Sequence, residues 1–333
     1  MNEDLELDNI EGVGPVTKQK LGEAGIHSIM DLLVRGPMSV SDVTGLDVDR
    51  ATSICNKART KLVELGQLQK DFVTATEIYK KRQSIERIST GTTSIDDLLD
   101  GGIETQAITE IYGEYGTGKT QICHTLCVMV QSPKDKGGLE GGAIYVDTEG
   151  TFRPERLHRI AEAKGFDPDE ILENVVVAKA YNSAHQELIM EDLGRIIDKT
   201  GAKLLIVDSA VAHYRAEFLG RGTLAGRQQR LNKFMHLLLR TAETYNLAAI
   251  ATNQIQASPD TYFGDPSRPT GGHVVAHTST YRIYLKRSGK NRIARMVDSP
   301  YHAEREVVFR LADTGVEDVE ETSKKSKSSI DKT

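Results

Sequence analysis

The stretch Gly113-Glu114-Tyr115-Gly116-Thr117-Gly118-Lys119-Thr120 constrains the fold of this chain more than any other. A glycine, four variable residues and then Gly-Lys-Thr is the spacing at which a backbone can wrap a phosphate, with successive N–H groups turned inward. Such a loop works between a strand that fixes its start and a helix whose N-terminus faces the anion. Both are legible here: Ala107-Ile108-Thr109-Glu110-Ile111-Tyr112 reads as a strand and residues 121–131 as an apolar helix. A chance glycine-rich turn would have neither. The reading is a site for a nucleoside triphosphate, with ATP and Mg²⁺ as ligands. Residues 113–120 and Gln121 cradle the phosphates, Lys119 reaches the β- and γ-phosphates, and the Thr120 hydroxyl can hold the metal.

A chain of 333 residues with 38% apolar residues has room for two domains or one large α/β unit. Its net charge of −6 gives no bulk attraction to nucleic acid, although local basic loops matter more than the total. The three cysteines, Cys55, Cys123 and Cys127, cannot all pair and lack secreted-scaffold spacing, which fits a reducing compartment. Cys123, His124 and Cys127 invite a zinc reading. On a helix, however, the two cysteines share a face while His124 points elsewhere, so core packing is expected. The acidic N-terminus has no apolar signal core, and no long apolar run follows. A soluble, intracellular protein with no membrane partner is expected.

Residues 7–66 read as short helices joined by tight turns. Ile10-Glu11-Gly12-Val13-Gly14-Pro15 precedes an amphipathic stretch at 16–24, which Gly25 ends, and Val43-Thr44-Gly45-Leu46-Asp47 is a weaker second turn. This looks like a helix-hairpin-helix module whose Gly-Val-Gly turn can offer N–H groups to a DNA phosphate. A small all-α bundle used for protein contacts reads equally well. Residues 67–90 are polar, without strong periodicity, and suit a linker. Within them Phe72-Val73-Thr74-Ala75, on an exposed extended segment, could plug pockets on a neighbouring subunit by strand addition; ordinary packing is the default.

From 91 to about 315, strands at 142–147, 174–177, 203–208 and 247–253 alternate with helices at 154–164, 184–200 and 225–245. Strand-like runs at 280–285, 292–297 and 306–311 follow. The pattern predicts an α/β core with a mostly parallel central sheet and antiparallel additions. The tail, rich in Glu, Lys, Ser and Asp, reads as disordered. The expected units are 1–66, 67–90, 91–317 and 318–333.

Leu204-Leu205-Ile206-Val207-Asp208-Ser209 is an apolar strand ending in a carboxylate. Downstream of a phosphate loop, Asp208 organises Mg²⁺ through its coordinated water. Tyr145-Val146-Asp147-Thr148-Glu149-Gly150 is a second strand ending in acids. Glu149, at its carboxyl edge, is nominated to orient and polarise water; ordinary strand-end acids are the plain alternative. Asn253-Gln254 ends another strand beside the same edge, where a polar amide can bond the γ-phosphate and pass its presence into the loop at 255–272. That long loop holds Tyr262, Phe263 and Arg268, an aromatic and basic mix suited to a nucleic-acid backbone. A shorter loop, 213–230, carries Arg215, Arg221, Arg227 and Arg230. Two basic loops leaving one sheet would form a DNA channel; a solvated charged face is the bland reading.

Together these residues resemble the RadA recombinases, the archaeal branch of the RecA-like DNA strand-exchange family. The most specific piece is Asp147-Thr148-Glu149-Gly150-Thr151-Phe152-Arg153-Pro154-Glu155-Arg156, supported by Gly220-Arg221-Gly222 and by Gly271-Gly272-His273 through His277. The resemblance runs from Gly12-Val13-Gly14 to about residue 315. It implies a RecA-like ATPase core behind a helix-hairpin-helix domain, cytoplasmic and nucleoid-associated. It also implies a homo-oligomer, filament or ring, that binds single-stranded and double-stranded DNA, with recombination mediators as further partners. ATP would lie sandwiched between protomers. By the resemblance, Glu149 positions the attacking water, Gln254 senses the γ-phosphate and Arg156 lies against the adenine. His277 and Asp298-Ser299-Pro300 meet the nucleotide from the adjacent protomer, where Asp298 helps hold a monovalent cation such as K⁺. Phe72 and Ala75 match a polymerisation motif, and Arg221 a DNA-contacting arginine. After Pro300 the chain departs from the pattern, reading Tyr301-His302-Ala303 where many relatives carry a further proline. That puts the rigidity of the nucleotide cap in question. Two other readings compete: a paralogue that regulates filaments without exchanging strands, and a RecA-fold ring helicase. The loop arginines and Phe72-Val73-Thr74-Ala75 favour the recombinase over the paralogue, and the N-terminal module disfavours the helicase.

Overall fold

The computed structural model describes residues 3–257 and 267–319. The N-terminal module consists of α1 (Pro15–Glu23), α2 (Ile29–Thr44) and α3 (Val48–Glu64). Pro15 opens α1, where a missing N–H costs nothing. Ser28 and Asp31 form a reciprocal capping box on α2, and Asp47 caps α3 through the Arg50 N–H. Gly45, left-handed with φ 67°, closes α2, so the weaker of the two turns is a true helix–turn–helix junction. Leu21, Ile26, Ile29, Leu32, Ile54 and Leu62 give the module its own core. It docks on the larger unit through Asp31, which accepts the Tyr245 hydroxyl at 2.7 Å, and through buried Arg35, paired with Glu191 at 3.3 Å.

The stretch at 67–90 holds more structure than its sequence signalled. It carries α4 (Ala75–Gln83), capped by Thr74 and Glu77, and β1 (Arg87–Ile88), which pairs antiparallel with β2 (Ile103–Glu104). Helix α4 buries none of its residues, so it has no apolar stripe for periodicity to reveal. Phe72 stands just ahead of it, 95% exposed, and Ala75 is its first residue.

The core continues with α5 (Thr93–Leu98), β3 (Ala107–Gly113), α6 (Lys119–Met129), β4 (Gly142–Asp147), α7 (Pro154–Ala163), α8 (Pro168–Glu173) and β5 (Val175–Lys179). Next come α9 (Ser183–Glu191), α10 (Leu193–Thr200), β6 (Ala202–Asp208), α11 (Ala212–Glu217), α12 (Leu224–Tyr245) and β7 (Ala248–Ala257). The chain closes with β8 (Ser267–Pro269), α13 (His273–Thr278), β9 (Tyr281–Ser288), β10 (Asn291–Asp298), β11 (Glu306–Ala312) and β12 (Gly315–Asp318). The sheet runs β12-β11-β10-β9-β3-β7-β6-β4-β5, with β8 added to β7. Strands β9, β3, β7, β6, β4 and β5 are parallel neighbours, while β10, β11 and β12 return antiparallel. Both faces are covered, as a parallel sheet requires. In β6, Leu204 and Ile206 pack with Ile122 and Leu126 of α6, while Leu205 and Val207 pack with Leu231, Phe234 and Leu238 of α12.

Several sequence expectations need correcting. The run at 280–285 is not an antiparallel addition to the core, since β9 lies parallel to β3. The helix expected at 184–200 is two, α9 and α10, broken at Asp192. Buried Ser183, Gln186, Met190, Leu193 and Ile197 keep one helical period through that break, so periodicity could not show it. The loop expected at 213–230 shrinks to 218–223, because α11 and α12 claim its ends and a single 3₁₀ turn spans Arg221–Thr223. Arginines and glycines there look loop-like, yet α12 starts on an exposed face where neither needs burial. Strand β12, unforeseen, reaches Asp318, whose carboxylate accepts the Thr93 and Ser94 N–H groups. The rest of the expected tail, from 320, lies outside the described residues.

Candidate nucleotide site and nucleic-acid face

The phosphate loop leaves the carboxyl end of β3 and enters α6. Register sets the neighbours: Gly113 pairs with Gln254 of β7, and Asp147 of β4 pairs with Asp208 of β6. Gly113 has no room for a side chain, since a Cβ there would stand 2.3 Å from the Leu285 carbonyl oxygen. Gly118 opens α6 in the left-handed region, at φ 109°, which turns the following N–H groups toward the loop interior. Glu114, Tyr115 and Gly116 form the exposed crest, and Thr117 is buried with its hydroxyl donated to the Glu114 carbonyl at 2.8 Å. Lys119 Nζ donates to the Gly113 and Glu114 carbonyls, each at 2.9 Å. Burial pulls its amine below the ordinary lysine value, against the pull of Asp208 and Glu149.

Thr120 Oγ1 donates to Asp208 Oδ2 at 2.7 Å. The Tyr145 hydroxyl reaches the same oxygen at 2.7 Å, and the Thr252 hydroxyl donates to Oδ1. A hydroxyl and a carboxylate held together at a helix N-terminus form the oxygen-only set that Mg²⁺ takes.

Asp147 is not a free strand-end acid. Its Oδ1 accepts the N–H groups of Glu149, Gly150 and Thr151 at 3.2, 2.8 and 3.1 Å, and its Oδ2 that of Phe152 at 3.2 Å. The carboxylate folds the loop that presents Glu149. Glu149 Oε1 accepts Gln254 Nε2 at 2.8 Å, and Gln254 Oε1 accepts Arg215 Nη2 at 3.4 Å. Partial burial, then the charge of Asp208, pushes the Glu149 carboxyl above the ordinary glutamate value. Arg215, expected in a DNA loop, therefore joins Glu149 and Gln254.

Sequence reasoning missed the network beneath Gln254. Buried Asn253 donates through Nδ2 to Glu110 Oε1 at 2.8 Å and to the Thr270 carbonyl at 2.6 Å. The Thr270 N–H returns to the Gln254 carbonyl at 2.9 Å, and Arg282 Nε bonds fully buried Glu110 at 2.6 Å. The base of the long loop is thereby pinned beside Gln254. A polar Asn before Gln254 was the available signal.

Arg156 Nε donates to Gln121 Oε1 at 2.7 Å and its Nη1 to the Asp313 carbonyl at 2.9 Å, so these two expected nucleotide residues meet at the start of α6. His124 stacks on Tyr145, 5.8 Å between centroids, and burial lowers its pKa to about 4. Cys123 and Cys127 lie in the core, where burial pushes both thiols up. Exposed His277 stacks on His273 at 5.6 Å; exposed Asp298 is the last residue of β10, just past its bulge, and exposed Pro300 follows.

Of the arginines expected to meet nucleic acid, Arg230 pairs with Glu187 at 3.1 Å and lies 5.5 Å from the Phe218 ring centroid, which ties it within the protomer. Arg227 is half-buried on α12. Phe263 and the side chains of Arg221 and Arg268 lie outside the described residues. Among the described residues no helix is long and apolar enough to cross a membrane.

A family model described as Rad51 matches residues 81–319, and one described as a SAM-like helix-hairpin-helix tandem matches residues 4–60. The chain is 55% identical to a DNA repair and recombination protein RadA of Cenarchaeum symbiosum (strain A), over 320 residues. That alignment covers 96% of this chain and 80% of the relative. It is 46% identical to the protein of the same description from Aeropyrum pernix over 316 residues, 95% of this chain and 97% of the relative.

Proposed function

This chain belongs to the Rad51 family, and from that premise we propose an ATP-dependent DNA recombinase of recombination and repair. It assembles as a filament on single-stranded DNA, binds ATP between protomers and exchanges strands with duplex DNA, in the cytoplasm at the nucleoid. One observation carries the reading: Lys119, the Thr120–Asp208 pair and the Glu149–Gln254–Arg215 chain share one sheet edge. Thr120 and Asp208 would hold Mg²⁺, which neutralises phosphate charge when bound. Lys119 would exchange its two carbonyl partners for the β- and γ-phosphates. Glu149 orients the attacking water and accepts its proton. Gln254 would trade its bond to Glu149 for one to the γ-phosphate. Its neighbours are Arg215, at the foot of the first loop, and Asn253, at the foot of the second, so hydrolysis would loosen both loops together.

His277, Asp298 and Pro300 serve the nucleotide of the adjacent protomer, with K⁺ at Asp298. Phe72 and Ala75 join protomers. The sheet offers them an edge strand in β5, where Val177 is 42% exposed. Recombination mediators are further partners. The direct test is strand exchange, alongside affinity for single-stranded DNA with ATP, with ADP and without nucleotide. Exchange and tight binding should need ATP; equal binding in all three conditions overturns the proposal.

Replacing Phe72 by glutamate should give monomers by light scattering, with an unchanged melting temperature because Phe72 contributes no core packing. Assembly that survives the substitution removes Phe72 from the interface. Arg221→Ala should weaken binding to single-stranded DNA and reduce the slope of log affinity against log salt by about 0.7, the share of one phosphate contact. An unchanged slope takes Arg221 off the DNA.

A further inference from the structure

Glu104, in β2, is a buried carboxylate that plays no part in the nucleotide edge, yet two arginines converge on it. Arg82 Nη2 donates to both its oxygens, at 3.0 and 3.1 Å, and Arg87 Nη2 donates to Oε2 at 3.0 Å. The Tyr301 hydroxyl approaches the same Oε2 at 3.5 Å and accepts from Arg87 at 3.4 Å. The Arg82 guanidinium also lies 5.7 Å from the centroid of the Tyr301 ring.

The residue after Tyr301 is anchored as firmly. The His302 ring packs on Tyr301 and Tyr281, with centroids 4.1 and 5.6 Å apart. Its Nδ1 meets the Ser299 hydroxyl at 2.8 Å, and its Nε2 faces Asp100 Oδ2 at 3.3 Å. Ser299 Oγ accepts the N–H groups of Tyr301 and His302 at 3.3 and 3.1 Å, which closes residues 299–302 into a tight turn. The two bulky residues standing where a stiffening proline was expected are this turn's anchors.

Arg82 lies in the last turn of α4, the helix that Ala75 begins and that Phe72 precedes. With no buried residue of its own, α4 is held at this end by charge and an aromatic face rather than by an apolar stripe. We infer that Tyr301 and His302 are positioning residues of the Asp298-Ser299-Pro300 cap, and that Glu104 and Arg82 tie this cap to the helix carrying the assembly motif. The inference rests on the proposed function, in which the cap meets a neighbour's nucleotide. A proline would fix one φ angle. A carboxylate clamped by two guanidiniums fixes the cap against a different element, so docking of Phe72 and grip on ATP share one mechanical support.

A double-mutant cycle on the full-length protein tests this, with ATP turnover measured on saturating single-stranded DNA. Arg82→Gln and Tyr301→Ala should each raise KM for ATP about tenfold, the loss of one bond to a charged group, with kcat held within about twofold. The double variant should be no worse than the poorer single, because both remove one tie. Unchanged KM in both singles, or penalties that multiply, overturns the inference. Should Tyr301→Ala fail to fold, Tyr301→Phe keeps the ring and completes the same cycle. Phe72→Glu run in parallel separates the two levels. If it leaves DNA-dependent turnover intact, the interfacial site itself is refuted. If it abolishes turnover while the cycle is flat, only the tie is refuted.

Discussion

Lys119→Ala is expected to lower ATP turnover about a thousandfold while the protein still folds, because one fixed cation aimed at developing phosphate charge supplies that much. The amine already stands in the loop, held by the Gly113 and Glu114 carbonyls at 2.9 Å. Burial has lowered its pKa, and the negative charge of a phosphate beside the amine would oppose that shift. Binding and catalysis should therefore both suffer. The fold should not, since the strand and helix around the loop are held by Ile108, Ile111, Ile122 and Leu126, none of which the change touches. Steady-state turnover and a melting curve decide the matter together. Turnover within tenfold of wild type, in a protein that melts normally, would show that this loop is not where ATP is hydrolysed.

What was legible in the sequence were features written in local spacing. The phosphate loop and the strands ending in Asp208 and Asp147 fell where β3, β6 and β4 end, because loop chemistry and buried strands leave strong local patterns. Strand β7, by contrast, runs past Gln254 to Ala257, into the stretch read as loop, and pairs there with β8. Membership in the Rad51 family followed from the same residues. Hidden features depend on partners far apart in the chain. Helix α4 has no apolar face, so its polar residues read as linker until Arg82 is seen on Glu104. The break at Asp192 lies where α2 presses on the core: a Cβ on Gly194 would meet Asp31 at 1.9 Å, a contact no periodicity encodes. Arg215 and Arg230 carried the same expectation in sequence. One meets Gln254 and the other Glu187, because α11 and α12 face different neighbours.

Glu149→Gln should reduce turnover by about 10²- to 10⁴-fold, the usual worth of a positioned general base. Glutamine keeps the length of the side chain and can still accept from Gln254, so the loop shaped by Asp147 should stand unchanged. Affinity for MgATP should change little, since Glu149 bonds to Gln254 and not to the phosphate loop. Dependence on pH separates a base from a merely structural acid. Burial and then Asp208 raise the Glu149 pKa, while Gln254, Lys119 and Arg215 oppose the rise. Only the carboxylate form can take the proton, so wild-type turnover should climb with pH through a value above the ordinary glutamate range. In Glu149→Gln that limb should vanish. Arg215→Ala removes a nearby positive charge, which favours the protonated acid, and should move the limb to higher pH. A rising limb that persists in Glu149→Gln would assign the base to another residue and leave Glu149 as a support for Gln254.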